Sequence, residues 1–149
     1  MAISIRTPET ELEWANYYDL RYRILREPLN QLRGSEKNDG DASGIHFALY
    51  DDIQLIGIAR LDKMDETIYQ VRFVAIDLPF QRKGYGQSIM KAVEDSAQQL
   101  NATKIILHAR ENAVEFYKSL AYSIIEPSHL LFGQVQHYLM EKQLHYLQA

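Results

Sequence analysis

Val71-Arg72-Phe73-Val74-Ala75-Ile76-Asp77-Leu78-Pro79-Phe80-Gln81-Arg82-Lys83-Gly84-Tyr85-Gly86-Gln87-Ser88 begins as an apolar strand and ends in a basic, glycine-punctuated turn that opens a helix. Glycine lets backbone amides approach a ligand closely, and a helix N-terminus carries partial positive charge. The pair makes an anion site suited to a phosphate or pyrophosphate. Downstream, Ile89, Val93, Ala97 and Leu100 fall on one face, with Met90 beside them, which predicts an amphipathic helix from Gly84 to about Leu100 and a stop at Asn101. Lys104 to Ala109 is mostly apolar, as a buried central strand should be. Strand, helix, strand in that order implies a right-handed crossover and a parallel pair.

Upstream, Ile3-Ser4-Ile5 reads as a first strand. Thr7 or Thr10 could cap a helix from Glu9 to about Leu25, with Leu12, Tyr17, Leu20 and Ile24 on one face. Pro28 ends it, and Leu29 to Leu32 reads as a short helical turn. Gly34 to Gly44 is a polar loop whose Glu36, Asp39 and Asp41 faintly resemble a metal loop but lack the longer calcium pattern. A solvated or substrate-facing loop is the simpler reading. Ile45–Tyr50 and Ile53–Leu61 read as a hairpin around Asp51-Asp52, and Thr67–Ile76 is the next strand. After the crossover, Asn112–Leu120 is a short helix with Ala113, Phe116, Tyr117 and Leu120 inward. Tyr122–Ile125 starts a strand, Pro127–Gly133 is a loop, and Val135–Leu144 is the terminal strand.

The chain has 149 residues, enough for one α/β domain spanning 1–149. The expected architecture is a mixed, mostly antiparallel sheet of about six to seven strands flanked by about four helices. A net charge of -4 argues against nucleic acid as partner. The absence of cysteine excludes disulfides, thiolate ligands and a Cys nucleophile, and fits a reducing cytoplasm. Met1-Ala2-Ile3-Ser4-Ile5-Arg6 lacks a signal peptide's apolar run, and no run approaches the roughly 20 residues of a membrane span. No metal and no membrane are therefore expected.

Ile89 stands where the third glycine of a dinucleotide fold would be, and the Gly-Lys-Ser/Thr of a P-loop is missing. Gln81-Arg82-Lys83-Gly84-Tyr85-Gly86 instead resembles the Gln/Arg-x-x-Gly-x-Gly/Ala signature of the GCN5-related N-acetyltransferases, the GNAT superfamily. Phe116-Tyr117-Lys118-Ser119-Leu120-Ala121-Tyr122 is similar to that family's second conserved block. Leu20–Leu29, the acidic loop before His46, and Gly133–Met140 look most like its ElaA/YjcF-type branch.

The resemblance implies a GNAT fold and an acyl-CoA-dependent N-acyltransferase that moves the acetyl group of acetyl-CoA directly to a primary amine of a small molecule or peptide. Amides of Arg82, Lys83, Gly84, Tyr85, Gly86 and Gln87, with Gln81 leading in, would hold the pyrophosphate. The backbone of Val74, Ala75 and Ile76 would bind pantetheine as an added strand. Phe116 and Asn112 would complete the cofactor site. Tyr117 matches the general acid that protonates the departing thiolate, although core packing alone would also explain it. Where the family often has an Asn, this chain has Arg110, so Asn112 is either a cofactor contact or a helix N-cap, and Arg110 is free to reach the phosphates or the acceptor. The general base is open among Glu36, Asp41, His46, Asp62, Glu66, His108 and His137, with His46 singled out because it follows the acidic loop. The charge of that loop would suit a cationic acceptor such as a polyamine or aminoglycoside. A homodimer is compatible with the terminal strand. The rival from another class is a non-catalytic acyl-CoA-binding or sensing module.

Overall fold

The computed structural model describes residues 2–144. Seven strands form one sheet: β1 (Ile3–Arg6), β2 (Ile45–Asp51), β3 (Gln54–Lys63), β4 (Ile68–Ile76), β5 (Lys104–Arg110), β6 (Ser123–Leu131) and β7 (Val135–Gln143). Their order is β1-β2-β3-β4-β5-β7-β6. Only β4 and β5 run parallel; the other neighbours are antiparallel. Three α-helices accompany the sheet among the described residues: α1 (Glu11–Leu25), α2 (Tyr85–Gln99) and α3 (Val114–Ser119). The short turn expected at residues 29–32 lies instead at Glu27–Leu29, as a 3-10 turn closed by the left-handed Asn30, and the acidic loop, expected without helix, holds another at Asp39–Ala42.

Side chains alternate across a strand, so the sheet has two apolar faces and needs a helix on each. Phe47 and Leu49 join the core under α2 with Ile89, Met90, Val93 and Ala97, while Ala48 and Tyr50 join the core under α1 with Tyr17 and Leu20. α1 starts with a capping box: Thr10 Oγ1 accepts from Glu13 N, and Glu13 Oε1 accepts from Thr10 N. Leu12 is 70% exposed and not part of the inward face, and Leu100 lies one residue past α2 at the surface. Tyr17 and Leu20 at helical spacing suffice to seat α1; Leu12 points to the opposite side of its first turn.

Two elements depart from expectation. Of the loop expected at Pro127–Gly133, only Phe132 and Gly133 are turn, because β6 continues to Leu131 through two register shifts against β7. Proline fits there because β6 is an edge strand and needs no donor on its open side. Asn112 lies in a 3-10 turn (Glu111–Ala113) and caps nothing; the positions before that turn and before α3 are Arg110 and Ala113, neither with a side-chain cap.

β4 changes course halfway along. Arg72 pairs with Arg60 and Ala75 with Ile58, so Phe73 and Val74 together face Ala59. This is a β-bulge, and Phe73 takes φ +56°, a left-handed value costly for a bulky side chain. The parallel pairing of β4 with β5 stops just before it, at Val71–Leu107. β5 stays paired with β7 as far as Arg110–His137. The two central strands therefore part beyond Val71 and Leu107.

Candidate active site

The gap between the parted strands is a cavity of about 170 Å³. Val71, Phe73 and Val74 line it from β4, and Leu107, His108, Ala109 and Arg110 from β5. Tyr117 and Ala113 close it on the α3 side. Leu25 at the end of α1, Arg26 just past it, and His129, Leu131 and His137 of the β6–β7 hairpin form the opposite side. Gln134 Nε2 donates to Leu29 O at 3.0 Å, which ties the hairpin tip to the segment after α1.

The glycine-rich turn lies on the chain directly after β4. Asp77 anchors its start: its carboxylate accepts from Arg23 Nη1 and Nη2 at 2.9 and 3.2 Å, and from Leu78 N. Gln81 Nε2 donates back to Ile76 O at 2.9 Å, so Gln81 helps to hold the turn from its exposed side. Arg82 has φ +63° and Gly84, the N-cap of α2, has φ +87°. Among the described residues, no backbone acceptor takes the amides of Arg82 to Gln87; the first bonded amide is Ser88, to Gly84 O. Six successive donors at a helix start meet the requirement of a diphosphate. Gly86 has a different reason to be glycine: a Cβ there would stand 3.1 Å from Phe116 Cζ. Phe116 thus sets α3 against the first turn of α2.

Tyr117 is buried, with its ring edge-on to Phe116 and Tyr122. Burial pushes its hydroxyl above the ordinary phenol value, opposed only weakly by Arg110, so it stays protonated at neutral pH. Arg110 goes to the cavity with Tyr117, not to the glycine turn, and its Nη2 donates to Leu25 O at 2.8 Å.

His46 lies elsewhere. Its Nδ1 shares a 2.8 Å hydrogen bond with Tyr17 Oη, its Nε2 meets Asp41 O at 2.9 Å, and Trp14 and Tyr17 pack edge-on to the ring. Both nitrogens are occupied, and the residue is not part of the cavity wall. Burial lowers its basicity. His46 serves as a tie between α1, β2 and the loop.

The acidic loop is also consumed internally. Asp41 Oδ1 accepts from Arg21 Nη1 and Arg60 Nη1, both at 2.8 Å, and both arginines are fully buried. Burial alone would raise the Asp41 carboxyl, but the Asn38 amide and the two guanidiniums outweigh it and hold it below its usual range. Arg60 also binds Asp62 through two bonds of 2.8 and 2.7 Å. The buried Glu36 carboxylate accepts from Gly34 N. Of the three acids read as a cationic docking face, Glu36 and Asp41 thus face the protein's own arginines and amides, while Asp39 stays exposed.

Three histidines line the cavity instead. His129 stacks on His137 at 4.4 Å between ring centroids, and His108 lies 5.1 Å from His129. His137 Nδ1 meets Val135 O at 3.0 Å. Burial, reinforced by His129, lowers the His137 imidazole to about 4, and burial also lowers His108. No group of His, Asp or Glu among the described residues has metal-holding geometry. His129 escaped the sequence reading because Pro127 suggested a loop. The signal was available: two strands flanking the Phe132-Gly133 turn bring positions 129 and 137 together.

The comparisons follow the same geometry. The family described as Acetyltransferase (GNAT) family matches residues 10–122. The Bacillus subtilis protein named uncharacterized N-acetyltransferase YjcF is 26% identical over 142 residues, covering 95% of this chain and 99% of its own. A crystal structure of a proposed N-acetyltransferase from Lactobacillus plantarum superposes with a TM-score of 0.85 at 22% identity, over 97% of this chain and 99% of that one. An aminoglycoside 6'-N-acetyltransferase complexed with coenzyme A gives 0.80 at 16% identity over the whole of both chains. From the glycine turn, the parted central strands and the matched residues together, the chain belongs to the GNAT family of acetyltransferases.

Proposed function

We propose that residues 1–149 form one domain that transfers the acetyl group of acetyl-CoA directly to a primary amine. The observation that carries the reading is the parting of β4 and β5 after Val71–Leu107, which sets an unpaired strand edge and Tyr117 on one cavity. The CoA-bound relative supports the donor. The residues fit it: amides of Arg82 to Gln87 bind the pyrophosphate, with Lys83 and Arg82 adding positive charge. The β4 edge from Val74 to Ile76 binds the pantetheine arm, and a backbone N–H there stabilises the oxyanion. Asn112 and Phe116 flank that arm.

The amine nitrogen bonds to the thioester carbon and the C–S bond breaks. Tyr117 gives its proton to the leaving thiolate and recovers one from solvent. The proton lost by the amine passes to the histidines of the cavity, of which His129 is the exposed one. A neutral imidazole within reach can accept that proton, though burial weakens His137 and His108 as bases.

Release of free thiol from acetyl-CoA across an amine panel tests the reading. Tyr117→Phe should lower kcat by about 100-fold or more while CoA affinity stays unchanged. Unchanged turnover would remove Tyr117 from the chemistry. Tight CoA binding with no turnover on any acceptor would favour a sensing module instead.

A further inference from the structure

The cavity carries an unbalanced charge. Arg26, Arg72 and Arg110 all line it, and no Asp or Glu does among the described residues. None of the three has a carboxylate within ion-pair distance among those residues. They are nonetheless held together. Arg26 Nη1 and Arg110 Nη2 donate to the same Leu25 oxygen, at 3.1 and 2.8 Å. Arg26 and Arg72 lie over the same Phe73 ring, at 5.5 and 5.0 Å. The bulge residue of β4 is therefore also the platform of the cluster.

Arg26 Nε also donates to Ser35 O at 3.1 Å; these neutral acceptors place Arg26 and Arg110 but leave the three positive charges without a counter-charge among the described residues. The C-terminus of α1 offers about half a negative charge against three guanidiniums. The nearest acids are spent elsewhere: Glu36 on Gly34 N, and Asp41 and Asp62 on Arg21 and Arg60. Burial lowers the basicity of Arg26, and Arg110 and Arg72 lower it further by repulsion. Arg26 is buried, Arg110 half-buried and Arg72 exposed at the mouth, so the positive charge deepens inward, and a buried charge without a counter-charge is costly unless it meets an anion.

Resting on the acetyl-transfer reading, the geometry points to an acceptor that brings its own anion: an amine bearing a carboxylate or phosphate group, which Arg26, Arg72 and Arg110 bind in the β4–β5 cavity. Guanidiniums grip either group through paired N–H donors. The anion would orient the amine toward the open β4 edge and the histidines. Polyamines and other polycations are excluded by the same charge.

The test uses matched acceptors at saturating acetyl-CoA, read by thiol release: phenylalanine against phenethylamine for the carboxylate, phosphoethanolamine against ethanolamine for the phosphate, and ethylenediamine as the polycation. The member of one pair that carries the carboxylate or phosphate should exceed its partner lacking it in kcat/KM by about 30-fold or more. Which pair responds identifies the anion. Arg72→Gln should reduce that ratio about tenfold. Arg72 is at the exposed mouth of the cavity with no hydrogen bond of its own to lose among the described residues, so this variant keeps the fold; Arg110→Gln is the second. Equal or better turnover of the partner lacking the anionic group, or of ethylenediamine, would overturn the inference and leave acetyl transfer standing. If no acceptor turns over, acetyl transfer fails, and calorimetry decides the anion site alone. Inorganic phosphate and acetate are titrated into CoA-saturated protein, whose pyrophosphate site is already filled. Binding that is lost in Arg72→Gln upholds the site, and absence of binding overturns it.

Discussion

Asp41→Asn should cost stability and leave acetyl-CoA binding alone. The carboxylate is the shared partner of two guanidiniums with no exposed side-chain surface, Arg21 and Arg60, and is itself only 11% exposed. The variant keeps the size and one acceptor but removes the charge. Arg60 retains both bonds to Asp62 and one to Asn38. Arg21 retains only neutral acceptors, the Glu36 carbonyl and the Tyr17 hydroxyl. Removing one partner of a buried ion pair costs about 3 to 5 kcal/mol, and the surviving Asp62 contact places this case near 3. For a chain of this length that is a fall in Tm of roughly 10 °C. Scanning calorimetry reads the melt, and CoA titration well below the transition reads the site. Asp39→Asn, an exposed neighbour in the same loop, is the control and should stay within about 0.5 kcal/mol. An Asp41→Asn protein that melts within about 2 °C of wild type but loses affinity for amines would refute the structural role and return the loop to the acceptor.

Gly86→Val should destabilise by about 1 to 3 kcal/mol and weaken CoA binding, because its branched side chain meets Phe116 and displaces the first turn of α2; melting and CoA titration report both effects. The fold should also lose stability on acidification. His137 is held at about 4, below the ordinary value near 6.5, so its contribution is complete above 6.5 and is lost as pH falls toward 4. The loss approaches about 3 kcal/mol. Urea midpoints at pH 7.5 and 4.5 should differ less for His137→Gln than for wild type.

Much of this protein could be read along the chain. Ile89, Val93 and Ala97 repeat at the helical period and lie under the sheet as that period requires. The strand, crossover and strand around Gly84 give the parallel pair at the centre. Gly84 and Gly86 announce a tight backbone, although only the structure separates their reasons, a left-handed φ at one and contact with Phe116 at the other. These are local properties, set by near neighbours whose spacing is visible in the sequence.

Long-range pairing was decided elsewhere. Asp41 reads as an exposed acid in a polar loop, yet its partners Arg21 and Arg60 are 20 and 19 residues away on different elements. His46 reads as a candidate base after the acidic loop, and α1 covers it with Trp14 and Tyr17. The bulge at Phe73 cannot be seen in an apolar run, because it exists only relative to Ala59 on β3. The sign of the cleft follows from the same cause. The chain as a whole is acidic, at -4, and its cavity is lined by three arginines and three histidines. The glycine-marked stretch determined a run of amides with no backbone acceptor among the described residues at the start of a helix; the folded sheet decided what charge the cleft presents, since that charge is assembled from the C-cap of α1, β4, β5 and the β6–β7 hairpin.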